Sequence, residues 1–344
     1  MNKKLKSILQ LVVFAAIGVG LVWLSIHNIP DSEIEITKQS FKNADYLIVT
    51  LSAVISIFAH IMRAWRWNSM LQPMGHSISF KNSFAAVMIG YVVNYAVPRG
   101  GELSRCGVAT RYEKVPFPAA LGTVITERIV DVLMMLVLFF ITLAVQYSEL
   151  IRLIKELPKR PALKPLADRI NFIFNNENAI IVWGMVLVCI ALGLFLFRKK
   201  INTILKGKLG GIIKKFGEGI KSVKDLKNPF LFIFQSFLIW FFYFLSLYVC
   251  FWCFSETKDL GLKPALAVLL LGTLGVAISP GGIGLYQIIA TEVLVFYGVT
   301  NGVQTSFPWI VWGAQFIAII IIGGLCFLLL PLFNREKNGL SENT

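Results

Sequence analysis

The residues best suited to chemistry sit in an apolar setting. The run LGTVITERIVDVLMMLVLFF carries Glu127, Arg128 and Asp131. On a helix Glu127 and Asp131 share a face at i, i+4, and Arg128 reaches Asp131 at i, i+3. Counted from Pro118, Glu127 lies about 13 Å along the helix, well inside a bilayer. Each such charge costs roughly 2.5–3.5 kcal/mol at mid-helix, while Leu, Ile, Val or Phe returns only ~0.3–0.6 kcal/mol. These charges must therefore face protein or a watery cavity. A second set follows a break in the chain: Pro98-Arg99-Gly100-Gly101, then Glu102 and Arg105. Arginines hold a phosphate in bidentate fashion, and a helix starting after Gly101 offers free N–H donors and partial positive charge. The chemistry is the seating of an anion. Glu102, Glu127 and Asp131 would pair with Arg99, Arg105 and Arg128 in a network near neutrality until the anion rearranges it.

Two matching segments would position these groups. The stretch 81–107, KNSFAAVMIGYVVNYAVPRGGELSRCG, is an apolar run broken by Pro and Gly, and 263–298 repeats the plan as KPALAVLLLGTLGVAISPGGIGLYQ and onward. At an offset of 182 residues Lys81 meets Lys263, Ala85 meets Ala267, Gly90 meets Gly272, Pro98 meets Pro280, Gly100 meets Gly282 and Leu103 meets Leu285. The apolar part from Phe84 to Val97 makes about 21 Å of helix, short of a ~30 Å core, so it dips in and returns. Gly/Pro-broken segments in corresponding halves point to a midplane site in a transporter-like fold. Pro280, Gly281, Gly282 and Gly284 form the second break, with Gln287, Thr291 and the intramembrane carboxylate Glu292 beyond it. Glu292 reads equally as a proton or ion partner or as facing a water-filled vestibule.

Composition supports this frame. The hydrophobic fraction is 56% and net charge is +14, with the positive charge gathered in loops of cytoplasmic type; mean hydropathy is +0.71. The apolar residues come in bilayer-length blocks, which points to a membrane rather than nucleic acid as the partner. The predicted fold is an all-α polytopic membrane protein of one transmembrane domain, 1–344. It has about six full spans (8–26, 46–62, 119–147, 179–197, 229–254 and 307–330) and two re-entrant hairpins in an inverted repeat. The loop 198–229 is strongly basic, with ten Lys or Arg between Arg198 and Lys227 against Glu218 and Asp225. That sets it in the cytoplasm, with both chain termini, and leaves open an attraction to the anionic inner leaflet. The protein is expected in the cell membrane.

Arg63 and Arg66 end the second expected span in RAWRW. They read as interfacial anchors or, three apart on one face, as contacts to a lipid phosphate. Cys250 and Cys253 form a C-x-x-C inside an apolar helix without a second ligand pair, and His27, His60 and His76 are scattered. Neither pattern makes a metal site, and no cofactor is expected.

The motifs VPRGGELSR (97–105), TERIVD (126–131) and SPGGIG (279–284) resemble the flippase-like membrane family, whose module also forms the transmembrane region of lysylphosphatidylglycerol synthases. The resemblance implies a lipid-handling domain that translocates or binds phospholipids or lipid-linked sugars. It implies site roles for Arg99, Gly101, Glu102, Arg105, Glu127, Arg128, Asp131, Pro280, Gly281, Gly282 and Gly284. Gln287 stands where the family pattern often has Glu. The chain ends at Thr344, and the aminoacyl-transferase domain of those synthases is not expected in it. The leading expectation is a non-enzymatic translocase for an anionic phospholipid or lipid-linked headgroup. The alternatives are a membrane-embedded glycosyl or headgroup transferase using Glu127 or Asp131 as base, and a lipid-binding subunit that recruits a separate transferase through the basic loop.

Overall fold

The computed structural model describes residues 31–97, 100–149, 226 and 228–334. The expected spans 8–26 and 179–197, the basic loop apart from its last residues, both chain termini and Arg99 lie outside the described residues. The chain divides into two units, 1–142 with 222–344, and 143–221. The architecture below is that of the first unit.

Helix α1 (Asp31–Asn43) precedes α2 (Tyr46–Leu71). Asp45 starts α2 as an N-cap: its carboxylate accepts from the backbone N–H of Leu47 and Ile48, satisfying two donors that a helix start leaves unpaired. A 3-10 turn, Gln72–Met74, closes α2 on Gly75 in the left-handed conformation. The first hairpin follows, with α3 (Phe80–Ala96) capped by Ser79 and α4 (Gly100–Glu113) after the break. After helix α5 (Phe117–Val145) the next described helix is α6 (Pro229–Cys250), capped by Asn228 with Pro229 in its first turn. The second hairpin is α7 (Leu262–Ile278), the turn Pro280–Gly282 and α8 (Leu285–Phe296); α9 (Val303–Phe333) closes the described chain. The described residues are all helix, turn and loop, with no strand.

Among the described residues four helices are long and apolar enough to cross a membrane: Tyr46–Met74, Phe117–Val145, Pro229–Cys253 and Val303–Leu332. They coincide with four of the six expected spans. The first runs past its expected end at Met62, because RAWRW lies inside the helix rather than at its end.

Packing is tightest between α2 and α6, within each hairpin, and between α3 and α9. Glycines set the closest approaches. A Cβ on Gly101 would collide with the Gly90 carbonyl, so α3 and α4 touch backbone to backbone. In the second hairpin a Cβ on Gly272 would stand 2.7 Å from the Tyr286 ring. At the second break Gly281, Gly282 and Gly284 have φ of +59°, +80° and +77°, a region that side-chain-bearing residues rarely adopt. The apolar core gathers Leu247, Phe251, Val268, Leu294 and Phe307 from α6 through α9, and a second cluster joins Trp67, Cys106, Ala109 and Val124.

Candidate functional site

Four helices contribute to one buried ionic cluster. Glu127 on α5 is fully enclosed. Its Oε1 accepts from Arg63 at 2.8 Å and Arg66 at 3.0 Å, and its Oε2 accepts from Arg105 at 2.8 Å. Asp131, one turn on, accepts from Arg63 and Arg66 at 2.7 Å each. Arg63 and Arg66 project from α2, one turn apart, and Arg105 from α4. Arg66 also donates to Ser236 on α6 at 2.9 Å. The Arg105 guanidinium lies over the Trp67 ring at 3.9 Å, and the indole N–H donates to Thr123 on α5. Arg128 sits at the rim, with its side chain 46% exposed and weaker pairs to Asp131 (3.6 Å) and Glu127 (3.9 Å).

The expected pairing of Arg105 and Arg128 with Glu127 and Asp131 is present. The expected interfacial placement of Arg63 and Arg66 is corrected: Arg63 is 5% exposed and Arg66 fully enclosed, both turned onto the acids of α5. The reason is economy of charge. Two carboxylates inside an apolar helix need cations within reach, and α2 supplies them. The tryptophans divide, Trp65 being exposed and Trp67 buried beneath Arg105.

These two arginines also upset the expected neutrality. Among the described residues four guanidiniums share two carboxylates in the ion-paired cluster, a surplus of two positive charges. Glu102 lies one turn before Arg105 and forms no ion pair among the described residues; one of its oxygens is buried without a hydrogen bond. Counting it in still leaves a surplus of one. Arg105 is buried, yet among the described residues its Nε and Nη2 have no hydrogen-bond partner, nor do the Nε atoms of Arg63 and Arg66. Buried guanidinium donors without acceptors are costly, and an anion would satisfy them.

The second break lies in a different neighbourhood. Gly281 presses against Tyr95, in the last turn of α3, and its carbonyl accepts from the Trp312 indole at 2.9 Å. Tyr95 meets Phe316 edge-on at 4.8 Å, and Phe316 stacks on Trp312. Gly101 lies just past the first break, and its N–H donates to Asn94 at 2.8 Å, beside Tyr95. Gly100 fits closely against Val93 and Val97. The two breaks are thus joined through the end of α3. Among the described residues no ion pair or hydrogen bond links Gly281, Gly282, Gly284 or Gln287 to the arginine cluster. Gln287 is 1% exposed and neither amide atom has a partner. Glu292 is on an exposed surface rather than in the core.

Sequence reasoning missed Arg63 and Arg66 as cluster members, and with them Trp67, Tyr95 and Trp312. For the arginines a signal was available, since acids buried in a span must find cations and the preceding full span carries two at i, i+3. Nothing in the sequence pairs Tyr95 with Gly281.

The helices and the buried cluster together define a multi-pass helical membrane protein with an ionic site held inside its bundle. Residues 7–323 match the family described as the lysylphosphatidylglycerol synthase TM region, and the chain belongs to that family. It is similar to UPF0104 membrane proteins of three archaea. Identity is 31% to that of Methanocaldococcus jannaschii over 108 residues, 30% of this chain and 31% of the relative, so the match spans about a third of that protein's length. It is 23% to that of Methanothermobacter thermautotrophicus, over 86% of this chain and 88% of the relative, and 24% to that of Pyrococcus horikoshii, over 94% and 97%. No solved structure matches.

Proposed function

We propose that the protein handles anionic lipids by seating the headgroup phosphate on the arginine cluster and passing it between leaflets while the acyl chains stay in the bilayer. One observation carries this reading: Arg105 is buried with two unpartnered donors in a cluster that has more guanidiniums than carboxylates. A phosphate offers the acceptors those donors lack and the charge that offsets the surplus. Arg128, half exposed at the rim, is placed to meet the headgroup first. Membership in a family named for the membrane region of a lipid-modifying synthase supports a lipid as the substrate.

In this reading the two hairpins are re-entrant and oppositely inserted, α3–α4 from the cytoplasmic side and α7–α8 from outside, with both termini cytoplasmic. Their contact through Tyr95 and Gly281 lets the breaks move as a unit when the headgroup passes.

The test is leaflet exchange in liposomes containing purified protein and fluorescent phosphatidylglycerol, with labelled phosphatidylcholine as the neutral comparison. Phosphatidylglycerol should exchange faster, and Arg105→Gln should slow it by tenfold or more. Glu127 keeps Arg63 and Arg66 in that variant, so the fold is retained. Exchange that ignores both headgroup charge and Arg105 would sink the reading.

A further inference from the structure

We propose that His60 takes up a proton when the arginine cluster binds an anion, so that the anion and a proton travel together. This rests on the anion-seating reading above. Helix α2 carries a buried polar file, Ser52, Ser56, His60, Arg63 and Arg66, at steps of three or four residues along one face. From end to end it spans about 21 Å, about 16 Å of it beyond Arg63, at 1.5 Å per residue. Helix α6 answers with polar groups of its own. Ser246 exchanges hydrogen bonds with the Ser52 backbone and side chain, and Ser236 accepts from Arg66. The file is too closely packed for a headgroup, since the two serine oxygens stand 3.1 Å apart. A proton is the cargo of matching size.

Within this file His60 is the titratable group that no salt bridge or hydrogen bond explains. It is 3% exposed and its Nδ1 has no partner. Its ring lies 4.4 Å from Tyr91 on α3 and 6.0 Å from Tyr243 on α6, centroid to centroid, and the two tyrosine hydroxyls meet at 3.3 Å. The groups facing it from each packed element are these two phenols and, from its own helix, Arg63 one turn on. Glu127 and Asp131 on α5 act through Arg63, which they hold. Helix α9, also packed on α2, contributes no Asp, Glu, Lys, Arg or His; its Cys326 packs near Ala85 and Ile89.

The coupling follows from charge. The cluster presents surplus positive charge one turn from the imidazole. An anion seated there offsets that charge, so the anion and the imidazolium each favour the other's binding, with reciprocal free energies. The step is a simple protonation: the Nδ1 lone pair accepts a proton from water on anion binding and returns it when the anion leaves. No electron is transferred and no covalent bond of the lipid breaks.

The experiment uses the full chain in phosphatidylcholine nanodiscs, weakly buffered at pH 6–7 with an indicator dye and titrated with short-chain phosphatidylglycerol. Wild type should take up as much as about one proton per lipid bound, and lipid affinity should weaken as pH rises, by up to about tenfold per unit. His60→Gln should bind the lipid and take up none, and short-chain phosphatidylcholine should produce no uptake. Lipid binding by wild type without proton uptake, or uptake undiminished in His60→Gln, overturns the proposal and leaves the anion seat standing. Absence of phosphatidylglycerol binding to wild type defeats the anion seat itself, and the proton coupling with it. The wild-type measurement decides even if His60→Gln folds poorly, and His60→Asn serves as a second variant.

Discussion

The two hairpins share a plan and differ in charge. In the first, Gly90 meets the second limb at Gly101, backbone against backbone, and Arg105 reaches from that limb into Glu127. In the second, Gly272 matches Gly90 at the same offset but receives the Tyr286 ring, and Arg105 is matched by Gln287, buried and unpartnered. The first hairpin contributes Arg105 to the cluster; at the matching position the second has the uncharged Gln287, and it packs its glycine turn against Tyr95 and Trp312. A common backbone plan therefore does not make two equivalent half-sites. The first hairpin reaches the ionic cluster through Arg105, while the second supplies a tightly turned, aromatic-clamped partner.

The comparison can be tested from the largest expected effect downward. Glu127→Gln should be the most damaging, because it leaves Arg63, Arg66 and Arg105 with one fewer buried acid; a loss of about 3–5 kcal/mol is expected, read by thermal unfolding in detergent. A melt like wild type would mean that the cluster does not depend on its central acid. Gly101→Ala should cost about 1–3 kcal/mol by forcing α3 and α4 apart. Its counterpart at the same offset is Ile283, and Ile283→Ala should cost less than Gly101→Ala in the same assay; the reverse order would show that close backbone approach is not particular to the first hairpin. Trp312→Phe removes the indole N–H that Gly281 accepts and should cost about 0.5–1.5 kcal/mol while leaving phosphatidylglycerol binding intact. Gln287→Leu should be the mildest, within about 1 kcal/mol of wild type or stabilising, since it replaces a buried amide that has no partner. A large loss in exchange activity from Gln287→Leu would move the second hairpin into the binding site and erase the contrast.

Much of this was legible in order of residues. The long apolar blocks marked four described helices, Pro and Gly marked both breaks, and the price of a charge in hydrocarbon required Glu127 to face protein, where it is. Arg63 and Arg66 were harder. Hydropathy falls at RAWRW, which resembles the end of a span, yet α2 continues to Leu71 because the arginines are neutralised sideways by α5. How the breaks relate to the cluster was harder still, since among the described residues the glycine turn and the cluster are gathered by different neighbours.

By itself the order of residues determined that this chain is helical and membrane-embedded, where its helices break, and that its buried acids need cations. Those are consequences of local composition and of the cost of unpaired polarity in lipid, which act wherever the residues occur. Tertiary structure decided which cations answer, that they outnumber the acids among the described residues, and that Tyr95 meets the second break. Those depend on which helix faces are brought within a few ångströms, and Coulomb and contact energies at that range are set by packing between segments far apart in the chain.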